Sequence, residues 1–329
     1  MLKKGKTENL LNFLNTHLII LSNSRVKRNG GASMETVFSN LYKERIGHPD
    51  TLGILIIEET DQMELIKYSF DVIILIIVEN LHPSWLVKHY YIHNKKTGIF
   101  TFSDKCINDQ LFAASNRHIL EWFLSGETKY ERDDYVKKIK TRLIEFPVED
   151  REKKIGIEFA KFIVQFSEGK QLFASNQYLD AFHHILKALH HLARIAVLEY
   201  GLYPEVTVWD QVKKIKPEIY KLYAELIGSQ EPLEKRIELL LLAHSVSLNM
   251  NAEIGGRHLL KVMKTKDTFW PISEIMNHPD LKDYGFELFP LIEHLIKMSL
   301  IEVKKLQSQN TDIFYFMYFP AENKNKKYG

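Results

Sequence analysis

The stretch KYSFDVIILIIVEN, residues 67–80, sets one carboxylate, Asp71, at the mouth of an aliphatic run. An acid so placed has two chemistries. It is a ligand for a divalent cation, or it is the polar terminus of a buried strand, hydrogen-bonded to a neighbouring loop. A second concentration is DAFHHILKALHHLAR, residues 180–194, with four histidines on one helical segment. His183 and His190, like His184 and His191, are seven positions apart, about 10.5 Å along a helix axis, whereas a helix that chelates a metal uses i and i+4. Metal binding is therefore disfavoured. Asp180, His184, Lys187, His191 and Arg194 instead recur as a polar stripe opposite the apolar seam. Such a stripe is a solvated bundle face or, in the sharper reading, the basic lining of a cleft for a nucleotide or acidic substrate. Lys187 and Arg194 would then contact phosphate.

The elements that must carry these groups follow from periodicity. METVFSNLYKERIG (34–47) predicts a short amphipathic helix ending at glycine. LGILIIE (52–58) and FDVIILIIVEN (70–80) are too continuously apolar to be one-sided, which predicts central strands covered on both faces. WLVKHYYIH and TGIFTFSD, joined by an Asn-Lys-Lys-Thr-Gly turn, predict a hairpin extending that sheet. Residues 34–117 thus form a small α/β domain. Beyond it, ILEWFLSG and RDDYVKKIKTRLIEF predict two bridging helices. Four core-facing helices follow, marked by Ile155-Phe159-Phe162-Phe166, Phe182-Ile185-Leu189-Leu192-Ala196, Trp209-Val212-Ile215-Ile219-Leu222 and Leu233-Ile237-Leu240. Short connections containing Gly201, Pro204, Gly228 and Pro232 suit antiparallel neighbours, so residues 118–250 predict a helical bundle. In 251–320, helices including ELFPLIEHLIKMSL precede IEVKKL and IFYFMYF around the tip QSQNTD, the order of a winged helix. Trp209, Trp270, Phe286, Phe289, Phe314 and Phe316 read as core aromatics. Residues 321–329 are a polar tail.

At 329 residues the chain is long enough for two or three cores. Its 26% charged and 45% hydrophobic residues place it among ordinary globular proteins, and no apolar run reaches the roughly 18 residues of a membrane span. One cysteine, Cys106, fits a reducing, cytoplasmic setting. The net charge of +2 is an end effect, because residues 1–33 hold six Lys/Arg against Glu8 alone. That leader is a poor secretory signal: Asn12, Asn15 and His17 interrupt its apolar run. NGGAS before Met34 also matches the translation of a purine-rich ribosome-binding region, which leaves open whether residues 1–33 belong to the native protein.

The short helix, the two buried strands with an acid opening the second, the segment WFLSGETKYERDDYVKKIKTRL and the bundle after it together resemble an antibiotic-type nucleotidyltransferase. With the winged helix added, residues 34–320 are similar to the YgxA-type nucleotidyltransferase-like proteins of Gram-positive bacteria; HHLARIAVLEYGLYPEVTVWDQVKKI is the most distinctive stretch. The implied fold is α+β and multidomain: a nucleotidyltransferase-like mixed sheet with flanking helices, an all-α bundle and a winged helix. Active members of that superfamily carry Gly-Ser at the end of the first strand and Asp-x-Asp on the second. Backbone N–H groups there cradle a triphosphate and paired carboxylates hold two Mg²⁺ ions.

This chain departs from both motifs. Glu58-Glu59 stands where the small residues would be, and Asp71 has Ser69 and Ile73 as same-face neighbours. The resemblance then implies a nucleotidyltransferase-like domain with a degraded site, binding a nucleotide or a partner without efficient catalysis. In the alternative, it is an active Mg²⁺-dependent enzyme moving NMP from an NTP to a small molecule or protein, with Asp71 as metal ligand and Glu58 or Asp104 completing the site. A third reading is a nucleic-acid-binding regulator acting through Lys304 and Lys305 in the wing. Across 252–320, however, eight Lys/Arg stand against nine Asp/Glu, so DNA is disfavoured and a protein partner preferred. Arg236 and His244 have seven residues between them, outside the four-to-six spacing of RNA-cleaving bundles that accompany such nucleotidyltransferases. No ribonuclease is predicted.

Overall fold

The computed structural model describes residues 42–58, 70–92, 94–113, 116–205, 207–307 and 314–321. The leader, most of the 34–47 helix, Glu59, Ser69, residues 308–313 at the wing tip and residues 322–329 of the polar tail lie outside the described residues.

A five-stranded mixed sheet in the order β3-β4-β2-β1-β5 organises the first part. Its strands are β1 (Thr51–Glu58), β2 (Val72–Val78), β3 (Trp85–Ile92), β4 (Lys95–Ser103) and β5 (Glu127–Glu131). The continuous aliphatic runs do what burial on both faces requires: every residue of β2, and all of β1 except Glu58, is buried. β2 and β4 are parallel, with Val72 opposite Thr97 and Val78 opposite Ser103; β3 and β4 form the antiparallel hairpin. That hairpin is tighter than the sequence suggests. Ile92 already faces Lys95, and Asn94 adopts a left-handed φ of 61°, as short hairpin turns favour.

Three helices follow the hairpin: α1 (Asp104–Asn108), α2 (Arg117–Ser125) and α3 (Tyr135–Glu145). The domain boundary expected at residue 117 is too early. β5 pairs antiparallel with β1, and Leu120, Trp122 and Phe123 of α2 share one core with Val136, Ile139 and Leu143 of α3 and with Ile73, Leu75 and Ile77 of β2. ETKYE is short, polar and at a sheet edge, so alternation gives it no apolar signature.

The bundle consists of α4 (Val148–Ala174), α5 (Tyr178–Glu199), α6 (Val208–Ile215), α7 (Pro217–Gly228) and α8 (Leu233–Met250). The helix expected through Trp209 and Leu222 is two helices. Pro217 opens the second, and Lys216 before it is non-helical at φ −137°, ψ 76°, because proline clashes with an α conformation in the preceding residue. The C-terminal part contains α9 (Ala252–Met263), β6 (Trp270–Pro271), α10 (Ile272–Met276), α11 (Leu288–Lys297), β7 (Ile301–Gln307) and β8 (Phe314–Pro320), with sheet order β6-β8-β7.

Bundle and winged helix share one hydrophobic core, which runs from Phe159 and Phe162 through Leu259 to Leu288, Leu291 and Leu295. Glycines make the close approach possible. A Cβ on Gly156 would strike the Tyr284 hydroxyl, one on Gly255 the Phe159 ring, and one on Gly256 the Leu295 side chain. The Tyr284 hydroxyl lies 3.0 Å from His258 Nδ1, and the ion pairs Glu152–Lys261 and Lys153–Asp283 join α4 to the C-terminal part. Four aromatic assignments are corrected here: Trp270 is core, but Phe286 is 85% exposed, and Phe289, Phe314 and Phe316 are exposed as well. Periodicity alone cannot separate an aromatic on the outer face of a small sheet from a core one.

His244, on α8, is fully buried beside the rings of Phe162 and Phe166 and hydrogen-bonded through Nδ1 to the Leu240 carbonyl oxygen, 2.7 Å away. Burial pushes its pKa down to about 4. Because the folded value lies below the ordinary 6.5, stability is complete above that pH and declines as pH falls toward about 4. Between about pH 7.5 and about pH 5 the loss from this group is ~2 kcal/mol. Urea midpoints measured across that range should show a markedly shallower loss in His244→Phe.

Candidate functional site

The N-terminal edge of β2 is where chemistry would be sought. The Asp71 carboxylate accepts the main-chain N–H of Lys96 at 2.6 Å, while the Asp71 N–H donates to the Lys96 carbonyl at 2.8 Å. The tight hairpin turn explains this contact, since it places Lys96 inside β4 beside the start of its parallel neighbour. Asp71 thus has the partner that a strand-end acid needs.

Glu58 reaches the same edge. Gly53, near the start of β1, faces Ile77 near the end of β2, and Arg132 donates its N–H to Leu52 while its guanidinium pairs with Glu79. β1 therefore runs opposite to β2 and finishes beside Asp71. Ile57, however, shares the core of Ile73, Leu75 and Ile77, so strand alternation turns Glu58 to the other face. Asp104 is not brought to this edge at all. Ser103 pairs with Val78 at the far end of the parallel strands, which separates Asp104 from Asp71 by roughly 25 Å. There Asp104 accepts hydrogen bonds from the Tyr135 hydroxyl at 2.6 Å and from Asn108 Nδ2 at 2.8 Å. Among the described residues, no three His, Cys, Asp or Glu side chains gather as a metal cage. Asp71, tied to Lys96, and Glu58, on the opposite face, do not fit the paired ligands of a two-Mg²⁺ centre.

Three members of the polar stripe of α5, His184, His191 and Arg194, lie against a matching stripe on antiparallel α4, while Asp180 stays exposed. His184 Nδ1 lies 3.0 Å from Gln165 Oε1 and 2.9 Å from Glu168, His191 Nδ1 lies 2.7 Å from Glu158, and Arg194 Nε donates to Glu158 at 2.8 Å. Lys187 is exposed. Burial alone would raise the Glu158 carboxyl, but hydrogen bonding and charge from His191 and Arg194 outweigh it and hold the group at about 2. On the same face of α4, Lys154 is pushed down to about 8 by burial, partly offset by Asp150 and reinforced by repulsion from Arg194. Glu158 is the residue that sequence reasoning missed. The available signal was a polar series on α4, Lys154, Glu158, Lys161, Gln165 and Glu168, with the same spacing as the stripe on α5.

The distinctive stretch 190–215 builds the junction between sheet and bundle. Gln211 Nε2 donates to the Tyr203 carbonyl and to Glu205, and its Oε1 accepts the Glu205 N–H, which closes the loop after α5. Tyr203 stacks on Phe146 with ring centres 4.0 Å apart, and its hydroxyl pKa is raised by burial. Arg142 grips Asp150 through two hydrogen bonds and lies 4.1 Å over the Phe112 ring. His244 is closed off in the core, and Arg236 donates to the Leu226 carbonyl.

In the winged helix, the exposed face of α11 carries Phe289, Glu293 and Lys297. Lys304 and Lys305 are exposed on β7, with their ammonium groups 5.6 Å and 5.7 Å from the Phe269 and Phe316 ring centres. No helix among the described residues is long and apolar enough to cross a membrane.

Comparison with known proteins decides the family. The Nucleotidyltransferase-like family profile matches residues 34–151, the YgxA-like substrate binding domain matches 152–251, and a Helix-turn-helix domain matches 257–319. The chain is 38% identical over 285 residues to protein YgxA of Bacillus subtilis (strain 168), covering 87% of this chain and 97% of that protein. It belongs to the YgxA-type nucleotidyltransferase-like family. The crystal structure of a nucleotidyltransferase-like protein from Exiguobacterium sibiricum 255-15 is 32% identical, with a TM-score of 0.82 over 88% of this chain and 100% of that one. In this YgxA-type chain the sheet, the bundle and the helix-turn-helix domain therefore follow one another as the resemblance implied. The first profile ends at residue 151, which agrees with the placement of β5, α2 and α3 on the sheet.

Proposed function

We propose that this protein is a binding member of the nucleotidyltransferase-like class, one that engages a nucleotide or a partner and does not perform efficient two-metal phosphoryl transfer. The observation that carries this reading is the Asp71 carboxylate, which already accepts the Lys96 N–H at 2.6 Å. Ile73 is its next same-face neighbour on the strand. A carboxylate held by a main-chain donor and lacking an acidic neighbour two residues on is a poor anchor for paired cations.

Calorimetry with ATP and GTP, with and without Mg²⁺, tests the proposal together with a radiolabelled NMP-transfer assay. Any nucleotide binding is expected to be independent of Mg²⁺ and retained in Asp71→Ala. Mg²⁺-dependent binding or transfer that disappears in Asp71→Ala would establish the enzyme instead.

For the helix-turn-helix domain, a protein partner is the favoured ligand. Phe286, Phe289, Phe314 and Phe316 are all exposed, as is Glu293; exposed aromatics suit a protein interface, and an acid opposes a phosphate backbone. Duplex DNA binding that weakens with salt and is lost in Lys304→Ala/Lys305→Ala would reverse that preference.

A further inference from the structure

The sheet leaves β3 at its edge, and among the described residues the strand itself carries none of the usual protection. WLVKHYYI has no proline or glycine and only one formal charge, Lys88. Its residues are exposed along almost the whole strand, on both faces: Trp85 is 50% and Tyr91 73% accessible, with Leu86, Val87 and Tyr90 each near two-fifths. Sheet edges normally avoid this combination with short strands, inward charges, bulges or covering elements, because unpaired N–H and C=O groups flanked by apolar side chains template another strand. Eight residues of regular antiparallel pairing with β4 give β3 the straight register that such templating needs.

We infer that β3 is the dimerisation edge of this protein and that its occupant is β3 of a second copy, joined antiparallel to give a continuous ten-stranded sheet. Symmetry restricts the register. A two-fold axis perpendicular to the sheet keeps each residue on its own face, so partners must have residue numbers of equal parity. Centring on Lys88 sets two ammonium groups directly opposite each other, which is unfavourable. Centring on His89 instead places Lys88 against the Tyr90 ring of the second copy, Val87 against Tyr91 and Leu86 against Ile92. Each is a cation–aromatic or apolar pair of the kind that stabilises neighbouring strands. The strand is thus self-complementary in the His89-centred register, which an arbitrary peptide would not need. The inference does not depend on what the Asp71 edge binds.

Sedimentation of the full chain over a wide concentration range is expected to show a reversible monomer–dimer equilibrium. Val87→Lys should weaken it by about tenfold or more, with an unchanged circular dichroism melt, since Val87 is already well exposed. Cysteine cross-linking in a Cys106→Ser background reads the register. His89→Cys should form a disulfide-linked dimer, because paired Cα atoms ~4.5–5.5 Å apart lie within disulfide range. Lys88→Cys should not, its symmetry mate being a diagonal neighbour ~7–8 Å away. A chain that stays monomeric at every concentration, a dimer insensitive to Val87→Lys, or equal cross-linking from both cysteines overturns the inference.

Discussion

Glu158→Leu is expected to destabilise the protein by about 3–5 kcal/mol, the range seen when one partner of a buried ion pair is removed. Glu158 is 7% exposed and is the shared acceptor of His191 and Arg194. Without it the Arg194 guanidinium loses its hydrogen-bonded counter-charge, and the repulsion between Arg194 and buried Lys154 is less well offset. The triple variant Glu158→Leu/His191→Leu/Arg194→Met should recover much of the loss, since a whole buried cluster exchanged for apolar volume is often neutral. Urea denaturation of both proteins at neutral pH decides the matter. A single-variant loss under about 1 kcal/mol would mean that the seam behaves as a surface pair. Acid adds an independent check. The folded Glu158 carboxyl sits at about 2, below the ordinary 4.5, so its stabilisation is complete above pH 4.5 and disappears as pH falls toward 2. Glu158→Leu should therefore lose stability less steeply in that window.

Gly255→Ala should also be costly, and with a sign opposite to helix propensity. Alanine in an exposed helix interior is favoured over glycine by about 1 kcal/mol. On α9 the added methyl would instead press into the Phe159 ring, which is fully buried and has no room to retreat. Overpacking of this kind should leave a net loss of about 3 kcal/mol. Gly228→Ala is the matched control: its Cβ would meet nothing within 4 Å, so no loss is expected. Thermal unfolding of the two variants side by side separates the cases, and an unchanged or raised melting temperature for Gly255→Ala would refute the close-contact argument.

Much of the fold was legible because its strongest signals are local. The aliphatic runs 52–58 and 72–78 leave no alternative to central strands, and Gly126 with Pro217 punctuates helices in the ordinary way. What escaped was information held by tertiary neighbours. Residues 127–131 become a strand only because β1 offers an edge, and Phe286 and Phe316 are exposed although their type suggests a core. The candidate site follows the same division. The acid at Asp71 and the stripe on α5 were visible, while the distance to Asp104 depended on a parallel register that no local pattern encodes. The stripe had its counterpart one helix earlier, and only the antiparallel packing of α4 on α5 reveals Glu158 as its centre.

The glycine-lined contact between α4 and α9 has a consequence for how the polypeptide comes apart. With Phe159, Tyr284 and Leu295 interlocked, the C-terminal quarter is not a detachable cassette: cutting before Ala252 would strip a wall from the bundle and leave Phe159 facing water. Heating should accordingly melt both regions in one calorimetric transition, and transplanting residues 252–320 onto a foreign protein should yield an insoluble fragment.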